Sequence, residues 1–279
     1  MILPSLILAC SILALPMLSL VVAAAHGSTR FGMTRDLVGW ANFGHVLSDP
    51  LFVGALWRTL VWTGCVVTGT LLLSVPVALT LRRDFLGRGI AKVLVMLPWS
   101  VSLTMTAIVW RWALDAQNGP LNLTLRQFGL ISTPVVWLGD ARLAFAVEIA
   151  IGILVSVPFS CSILLAGLAT IPEDLYEAAR LDGAGRAARF RHVTLPLVRP
   201  FLRLALVLNV VYVFNSFPII WVMTQGGPAG GTEILVTYLY KLAFVFGRMG
   251  DAAALSLTMI GSLLLLVLAS LRLARSAAP

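Results

Sequence analysis

The segment IPEDLYEAARLDGAGRAARFRHVTLPLVRP, which runs from Ile171 to Pro200, decides the fold of this chain. It contains nine charged side chains, whereas the stretches immediately before and after it are long and apolar. Because charged side chains are costly inside a bilayer, the segment is predicted to be a polar loop between two membrane-spanning helices.

Two short helices are predicted inside this segment. Thr170 and Glu173 have the spacing of a capping box, which predicts that the first helix begins there. Asp182-Gly183 is a pair that favours a turn, so it is predicted to end this helix. A second helix is predicted from Ala184 to His192, and Pro196 with the two residues before it is predicted to stop that helix.

The composition of the whole chain indicates an all-α integral membrane protein. Of its 279 residues, 59% are hydrophobic and 11% are charged, and the mean hydropathy is +0.96. Soluble domains carry about 25% charged residues, so a soluble fold is excluded. The net charge of +8 does not indicate a nucleic-acid partner, because a chain this apolar offers no soluble basic face.

Six membrane spans are predicted, at Ile2 to Ala25, Leu60 to Leu81, Val93 to Leu114, Leu143 to Ala169, Phe201 to Met223 and Ala252 to Leu271. The first could instead be a cleaved signal peptide ending near Ala23-Ala24-Ala25, but it lacks a basic start and is longer than such peptides usually are. Three external loops follow from these spans, at residues 26–57, 115–142 and 224–251. Within the third loop, Ile234 to Phe246 is apolar enough to lie along the interface or to re-enter the membrane.

A short basic loop sets the predicted orientation. Arg82, Arg83, Arg88 and Lys92 crowd this loop and are opposed only by Asp84. Short loops rich in lysine and arginine stay in the cytoplasm, so this loop is predicted to be cytoplasmic. With six spans, both termini and the segment from residue 171 to 200 then face the cytoplasm as well.

The central segment resembles the EAA loop of permease subunits in binding-protein-dependent ABC importers. The matching residues are Glu177-Ala178-Ala179, Asp182-Gly183-Ala184, Phe190, Leu195-Pro196-Leu197 and Pro200. The alternative is an amphipathic basic loop that lies on anionic headgroups. That alternative explains the arginines but leaves the acids, the Asp-Gly bend and the spaced prolines without a reason.

Three further stretches resemble the sugar and glycerol-phosphate branch of these permeases, and specifically the first of its two paired permeases. They are Trp110-Arg111-Trp112 with residues 118–122, Pro158-Phe159 with residues 168–172, and residues 223–228 with Thr232 and Tyr238-x-Tyr240. This resemblance covers residues 55–275, after a first helix and external loop at residues 1–54. Leu154-Val155-Ser156 departs from it, since many relatives carry a tryptophan there. Two of these motifs also have simpler explanations: Gly226-Gly227-Pro228 can merely end a helix, and the tryptophans can anchor a span at the headgroups.

The resemblance implies a type I ABC importer fold in the cell inner membrane. It also implies the partners: a second permease, two ATPase subunits and an extracytoplasmic solute-binding protein. The implied ATPase-coupling residues are Glu177, Ala178, Ala179, Asp182, Gly183, Ala184, Phe190 and Pro196. Glu177 would reach a basic residue of the ATPase, Gly183 would permit the bend, and Asp182 would cap the second helix.

The chain itself lacks a phosphate-binding loop. Such a loop needs Gly-Lys followed by Ser or Thr, but the two lysines, Lys92 and Lys241, follow Ala91 and Tyr240. We therefore expect no cofactor and no enzymatic activity in this chain, with ATP and magnesium bound by the partner ATPase.

A polar stripe on the fifth span is the candidate substrate path. Asn209, Tyr212 and Ser216 fall on one face of a helix, and Asn215 flanks them. Amides, hydroxyls and an aromatic ring suit a sugar, which needs hydrogen bonds and ring stacking rather than a compensating charge. The alternative is that these residues join neighbouring helices, with each hydrogen bond contributing about 0.6 kcal/mol.

Two rival classes of membrane protein are less well supported. A secondary transporter tends to have intramembrane acids and related repeats, but the only acid clearly inside a span is Glu148. Glu148 could face the substrate, but it is expected to reach Arg142 or the interface instead. A membrane enzyme is not indicated, because the three histidines are scattered over loops. The three cysteines are far apart in apolar stretches and predict neither a disulfide nor a metal site.

Overall fold

The structure is a computed structural model that describes residues 3–29 and 34–276. The helices in chain order are α1 (Leu3–Ala25), α2 (Ala41–Ser48), α3 (Pro50–Arg82), α4 (Arg88–Ser100), α5 (Leu103–Ala113), α6 (Pro120–Gln127), α7 (Ala141–Ala169), α8 (Glu173–Leu181), α9 (Arg186–Arg189), α10 (Leu195–Phe214), α11 (Pro218–Met223), α12 (Leu235–Tyr240) and α13 (Met249–Ser276). Two π-helical turns, Phe190–Thr194 and Lys241–Val245, follow α9 and α12. Strands β1 (His26–Ser28) and β2 (Thr34–Leu37) form a small antiparallel pair.

The long apolar helices confirm an all-α integral membrane protein. Within the described residues, four segments are long and apolar enough to cross a membrane: Pro50–Arg82, Ala141–Ala169, Arg186–Met223 and Met249–Arg272. The pair α4 and α5 makes at most a fifth span. Helix α1 adds a shorter apolar stretch, Ile12–Ala25, so the count of six spans stays a prediction.

The third predicted span is broken rather than continuous. Helices α4 and α5 meet at an angle of 96°. Val101 between them is extended, and the hydroxyl of Ser102 accepts a hydrogen bond from the Met105 amide at 3.2 Å, which starts a new helix. The prediction of one helix from Val93 to Leu114 was wrong because apolar composition alone does not reveal a local cap. Helix α4 packs on α7, whereas α5 packs on α11.

The fifth predicted span also differs from the prediction. Pro196 does not stop a helix, because α9, the π-helical turn and α10 run on without a break. The Leu195 amide donates to the Phe190 carbonyl in the π-helical geometry, and Pro196, which has no N–H to donate, follows directly after this turn as the second residue of α10. The far end does break: α10 ends at Phe214, and α11 begins at Pro218.

Two of the predicted external loops contain more regular structure than expected. Residues 26–57 hold the β1–β2 pair, α2 and the start of α3, so the predicted boundary at residue 55 lies inside a helix. Helix α12 is buried in the protein at Leu235 and Tyr238, whereas Phe244 to Phe246 after it are exposed, so the interfacial or re-entrant placement of this segment stays a prediction. Helix α12 packs against α3 and α13.

The centre of the bundle is the packing of α3 against α7 and α10. Trp62 on α3 is fully buried, and its Nε1 donates to the Val213 carbonyl of α10 at 3.0 Å. Gly152 on α7 allows the close approach, since a Cβ there would lie 2.9 Å from the Trp62 ring. These contacts hold α10 in the position from which its polar side chains reach the candidate substrate path.

Candidate functional site

The predicted bend in the central segment is present. Gly183 has a φ of +76°, which lies in the left-handed region that glycine adopts without strain. The Asp182 amide donates to the Ala178 carbonyl at 3.0 Å, and the Ala184 amide donates to the Ala179 carbonyl at 2.9 Å. Helix α8 therefore ends at the Asp182-Gly183 pair, as the sequence predicts.

Both predicted helix caps in this segment are wrong. Thr170 does not cap α8, because its hydroxyl donates to the Gly167 carbonyl of its own helix at 2.8 Å and Pro172 occupies the N-cap. Asp182 does not cap the second helix, because Gly185 occupies that position, without a side-chain bond. The acid instead follows the last turn of α8.

Tyr176, which the sequence analysis did not single out, anchors α8 to the bundle. Its side chain is buried, and its hydroxyl lies 2.9 Å from Thr194 Oγ1 in the π-helical turn. Arg82, at the end of α3, donates to the same hydroxyl at 2.5 Å and places its guanidinium 4.5 Å from the ring centre. One feature of the sequence could have identified Tyr176 as the anchor: it is the single aromatic residue of a short helix whose other large side chains are mostly charged.

An ion-pair network joins the central segment to the basic loop after α3. Glu173 Oε1 lies 2.7 Å from Arg180 Nη2, and Glu173 Oε2 lies 3.6 Å from Arg82 Nη2. The two basic segments therefore lie at the same end of the bundle, which the predicted orientation requires. The side of the membrane that this end faces stays a prediction.

The residues implied in ATPase coupling lie mainly on the outer surface of the segment. Glu177, Ala178, Asp182, Gly183, Phe190 and Pro196 are exposed, whereas Ala179 and Ala184 are half-buried. Within the described residues, Glu177 makes no ion pair and no side-chain hydrogen bond. Leu181 beside them is 89% exposed. The outer face of α8 thus has an uncompensated carboxylate and an apolar side chain, while its inner face is held by Tyr176.

Two of the four candidate substrate residues share a cavity. Asn209 and Tyr212 on α10 line a cavity of about 360 Å³ between α7 and α10. Trp99 and Phe159 also line it, with ring centres 6.1 Å apart. Tyr212 is 42% exposed. The cavity thus offers mainly aromatic and other apolar surface, with Tyr212 as its partly exposed polar side chain.

The contacts of Asn209 fit the helix-joining interpretation. Its side chain is fully buried, and Nδ2 donates to Ser160 Oγ on α7 at 2.8 Å and to the Ala205 carbonyl at 2.7 Å. Its Oδ1 is also buried and has no hydrogen-bond partner within the described residues. The amide nitrogen therefore joins two helices, while the carbonyl oxygen has no exposed surface in this conformation.

Asn215 and Ser216 do not join this cavity. Helix α10 ends at Phe214, so the helical spacing that placed Ser216 on the same face as Asn209 does not continue. Asn215 Nδ2 donates to the Val211 carbonyl at 2.9 Å, and Ser216 is buried beyond the end of the helix.

Glu148 is buried and does not reach Arg142 or an interface. Its Oε1 accepts a hydrogen bond from the Thr224 hydroxyl at 2.8 Å. The Thr224 and Thr232 hydroxyls lie 2.6 Å apart, and Thr232 also donates to the Gly227 carbonyl at 2.9 Å. Glu148 therefore ties the loop after α11 to the middle of the bundle, a contact between residues far apart in the sequence.

The Gly226-Gly227-Pro228 motif lies in this loop, beyond the end of α11. Gly226 has a φ of +83°, and a Cβ there would lie 2.4 Å from Glu233 Oε2. Glu233 is buried and forms an ion pair with Lys241. Glycine is thus required by both backbone conformation and close packing. Among the residues that the structure describes, no cluster of His, Cys, Asp and Glu could hold a metal.

The matches found among known proteins agree with one another. The family model described as "Binding-protein-dependent transport system inner membrane component" matches residues 70–278. A probable ABC transporter permease protein of Brucella suis biovar 1 is 54% identical over 98% of this chain and 94% of its own length. The trehalose/maltose transport system permease protein MalF of Thermococcus litoralis is 35% identical over 90% of this chain and 83% of its own length.

A solved structure has the same fold. It is a bacterial alginate ABC transporter in complex with an alginate pentasaccharide-bound periplasmic protein. The TM-score is 0.85, with 23% identity, and the match covers 99% of this chain and 93% of that chain.

Proposed function

The chain belongs to the family of binding-protein-dependent transport system inner membrane components, and we propose that it forms part of the translocation path for a sugar or related carbohydrate. It is a permease subunit of an ABC importer, and ATP hydrolysis belongs to a partner. We further propose that residues 171–200 transmit the conformational change of that ATPase to the membrane helices.

The observation that supports the coupling proposal is the difference between the two faces of α8. Its inner face is fixed to α3 and to the π-helical turn through Tyr176. Its outer face presents Glu177 and Leu181 without a partner in the described part of the chain. A carboxylate beside an apolar side chain on a rigid helix suits a groove that has a basic residue, and the resemblance places such a groove on the ATPase.

The cavity lined by Asn209 and Tyr212 supports a carbohydrate substrate. The phenol hydroxyl of Tyr212 can bond to a sugar hydroxyl, and the nearby aromatic rings can stack on a sugar ring. The printed names of the relatives point the same way, since one is a trehalose/maltose permease and the structural match belongs to an alginate transporter.

The proposed assembly contains this chain, a second permease, two ATPase subunits that bind ATP and magnesium, and an extracytoplasmic solute-binding protein. The periplasmic protein bound to the matching alginate transporter supports the last of these partners. In the proposed orientation, both termini and the coupling segment face the cytoplasm, where positive residues of short loops are retained.

The test of the coupling proposal is co-purification of the ATPase with Glu177→Ala. Losing one partner of an interfacial charge pair costs about 2–5 kcal/mol, which corresponds to about thirtyfold to several-thousandfold weaker binding. We expect normal insertion of the variant, loss of the ATPase and loss of uptake. Asp36→Ala, an exposed acid on β2 far from α8, is the control and should retain the ATPase. Wild-type co-purification and uptake in Glu177→Ala would refute the proposal.

A further inference from the structure

A basic cavity of about 620 Å³ opens between the end of α3, the inner side of α8 and the start of the helical run from α9 to α10. Most of the charged side chains that line it are arginines: Arg82, Arg83, Arg180, Arg186 and Arg189. None of these is among the residues that we place in ATPase coupling. Phe190, which is one of those coupling residues, also lines the cavity, but the proposed function gives these arginines no individual role.

The acids in this cavity are already neutralised. Glu173 lies between Arg82 and Arg180, with nitrogen–oxygen distances of 3.6 and 2.7 Å. Asp84 forms an ion pair with Arg88. The two carboxylates that line the cavity are thus engaged with other arginines and leave the remaining positive charge uncompensated.

Three arginines of the cavity have no ion pair within the described residues: Arg83, Arg186 and Arg189. Arg189 Nε is moreover buried without a hydrogen-bond partner. Three guanidinium groups around one cavity repel one another and favour an anion between them. The planar fork of arginine suits a phosphate, whose oxygens accept two parallel hydrogen bonds.

A small apolar crevice of about 20 Å³ adjoins this cavity at the edge of the membrane-spanning bundle. Leu79, Phe190 and Thr194 line both spaces. Beyond them the crevice runs between α3, α7 and α10, and its walls are formed by residues such as Val75 and Leu164. An ATPase side chain or a free phosphate ion would use the basic cavity alone, whereas a phospholipid would use both spaces.

We propose that this cavity binds the phosphate of an anionic glycerophospholipid, with the first carbons of an acyl chain against the apolar crevice and the rest of the chain in the surrounding bilayer. Arg83, Arg186 and Arg189 supply the charge, and basic pockets between membrane helices on the cytoplasmic side are suited to such headgroups. The bound lipid would bridge α3 and the α9–α10 run beside the coupling segment.

The test measures lipid binding to the assembled complex by native mass spectrometry in a neutral detergent. The probes are a phosphatidylglycerol and a phosphatidylcholine with the same acyl chains. We expect the phosphatidylglycerol to bind at least about tenfold more tightly. Arginines near a membrane surface contribute about 1 kcal/mol each, so Arg186→Gln with Arg189→Gln should weaken its binding about 25-fold. Arg83→Gln, on the opposite wall, should weaken it about fivefold.

Arg191→Gln is the matched control, because Arg191 is exposed and does not line the cavity. It should bind phosphatidylglycerol as the unmodified chain does. Equal binding of the two lipids, or unchanged binding in the double variant, would overturn the proposal. Displacement of the lipid by millimolar inorganic phosphate would indicate a simple anion site and would overturn it too.

Loss of the ATPase from the double variant, with lipid binding unchanged, would assign these arginines to the ATPase instead. The Glu177→Ala experiment measures ATPase co-purification and uptake, so its result does not depend on lipid binding. The two proposals can therefore fail separately.

Discussion

Removing the ring of Tyr176 should release α8 from the bundle without affecting membrane insertion. The ring is buried among the end of α3, α8 and the π-helical turn, and its hydroxyl bonds to Thr194 and Arg82. Truncating a buried aromatic side chain to alanine costs about 3–5 kcal/mol. Since 1.4 kcal/mol is about tenfold, local opening of α8 should become about a hundredfold to a few-thousandfold more frequent in Tyr176→Ala.

Tyr176→Phe distinguishes the contribution of the buried ring from that of its hydroxyl. This variant keeps the buried ring and the stacked Arg82 guanidinium, and it loses two hydrogen bonds with a net value of about 0.5–1.5 kcal/mol each. Opening should then rise only about fivefold to a hundredfold, and less than in Tyr176→Ala.

Amide hydrogen exchange of the α8 backbone, measured on the purified complex before and after removal of the ATPase, reports this opening directly. Leu181→Ala, measured after removal of the ATPase, is the control, because it removes a side chain that is 89% exposed and makes little contact with the bundle. Exchange in Tyr176→Ala that matches the unmodified chain would show that the buried ring does not position α8, and it would refute the reasoning.

Three further predictions follow from the site. Gly183→Leu should abolish uptake and weaken ATPase co-purification, because leucine disfavours the φ of +76° in this bend; normal uptake would contradict this. Asn209→Ala or Tyr212→Ala should impair uptake while the complex still assembles; loss of assembly would favour the helix-joining role of Asn209. In a cysteine-free background, Leu86→Cys should react only with membrane-permeant thiol reagents and Gln117→Cys with impermeant ones, and the reverse result would invert the orientation.

The parts of the site that the sequence predicts are those decided by local chemistry. The Asp182-Gly183 bend needs a positive φ and a turn-forming acid, and both are visible in adjacent residues. The Thr170 cap failed because a threonine hydroxyl can bond back to its own helix, as it does to the Gly167 carbonyl. The spacing Thr170-x-x-Glu173 fits either conformation, so the sequence could not choose between them.

The parts that the sequence does not predict depend on contacts between distant residues. The bond from Thr224 to Glu148 joins segments 76 residues apart, and hydropathy assigns Glu148 only a position within a span. The bend between α4 and α5 also depends on a distant contact, because α5 turns away from the axis of α4 and packs on α11. Hydropathy identifies apolar stretches, but it does not show which neighbour each stretch packs against.

One helical run joins the proposed coupling segment to the cavity lined by Asn209 and Tyr212. Thr194 in this run bonds to Tyr176, and Asn209 lies fifteen residues further along it, at a distance of about 22 Å for 1.5 Å per residue. In the proposed coupling, a displacement of α8 would be transmitted through Thr194 to the helix that lines this cavity. Asn209 holds that helix to α7 through Ser160, at 2.8 Å. If α10 shifts with α8, either α7 moves with it or this bond breaks, and either outcome would change the walls of the cavity.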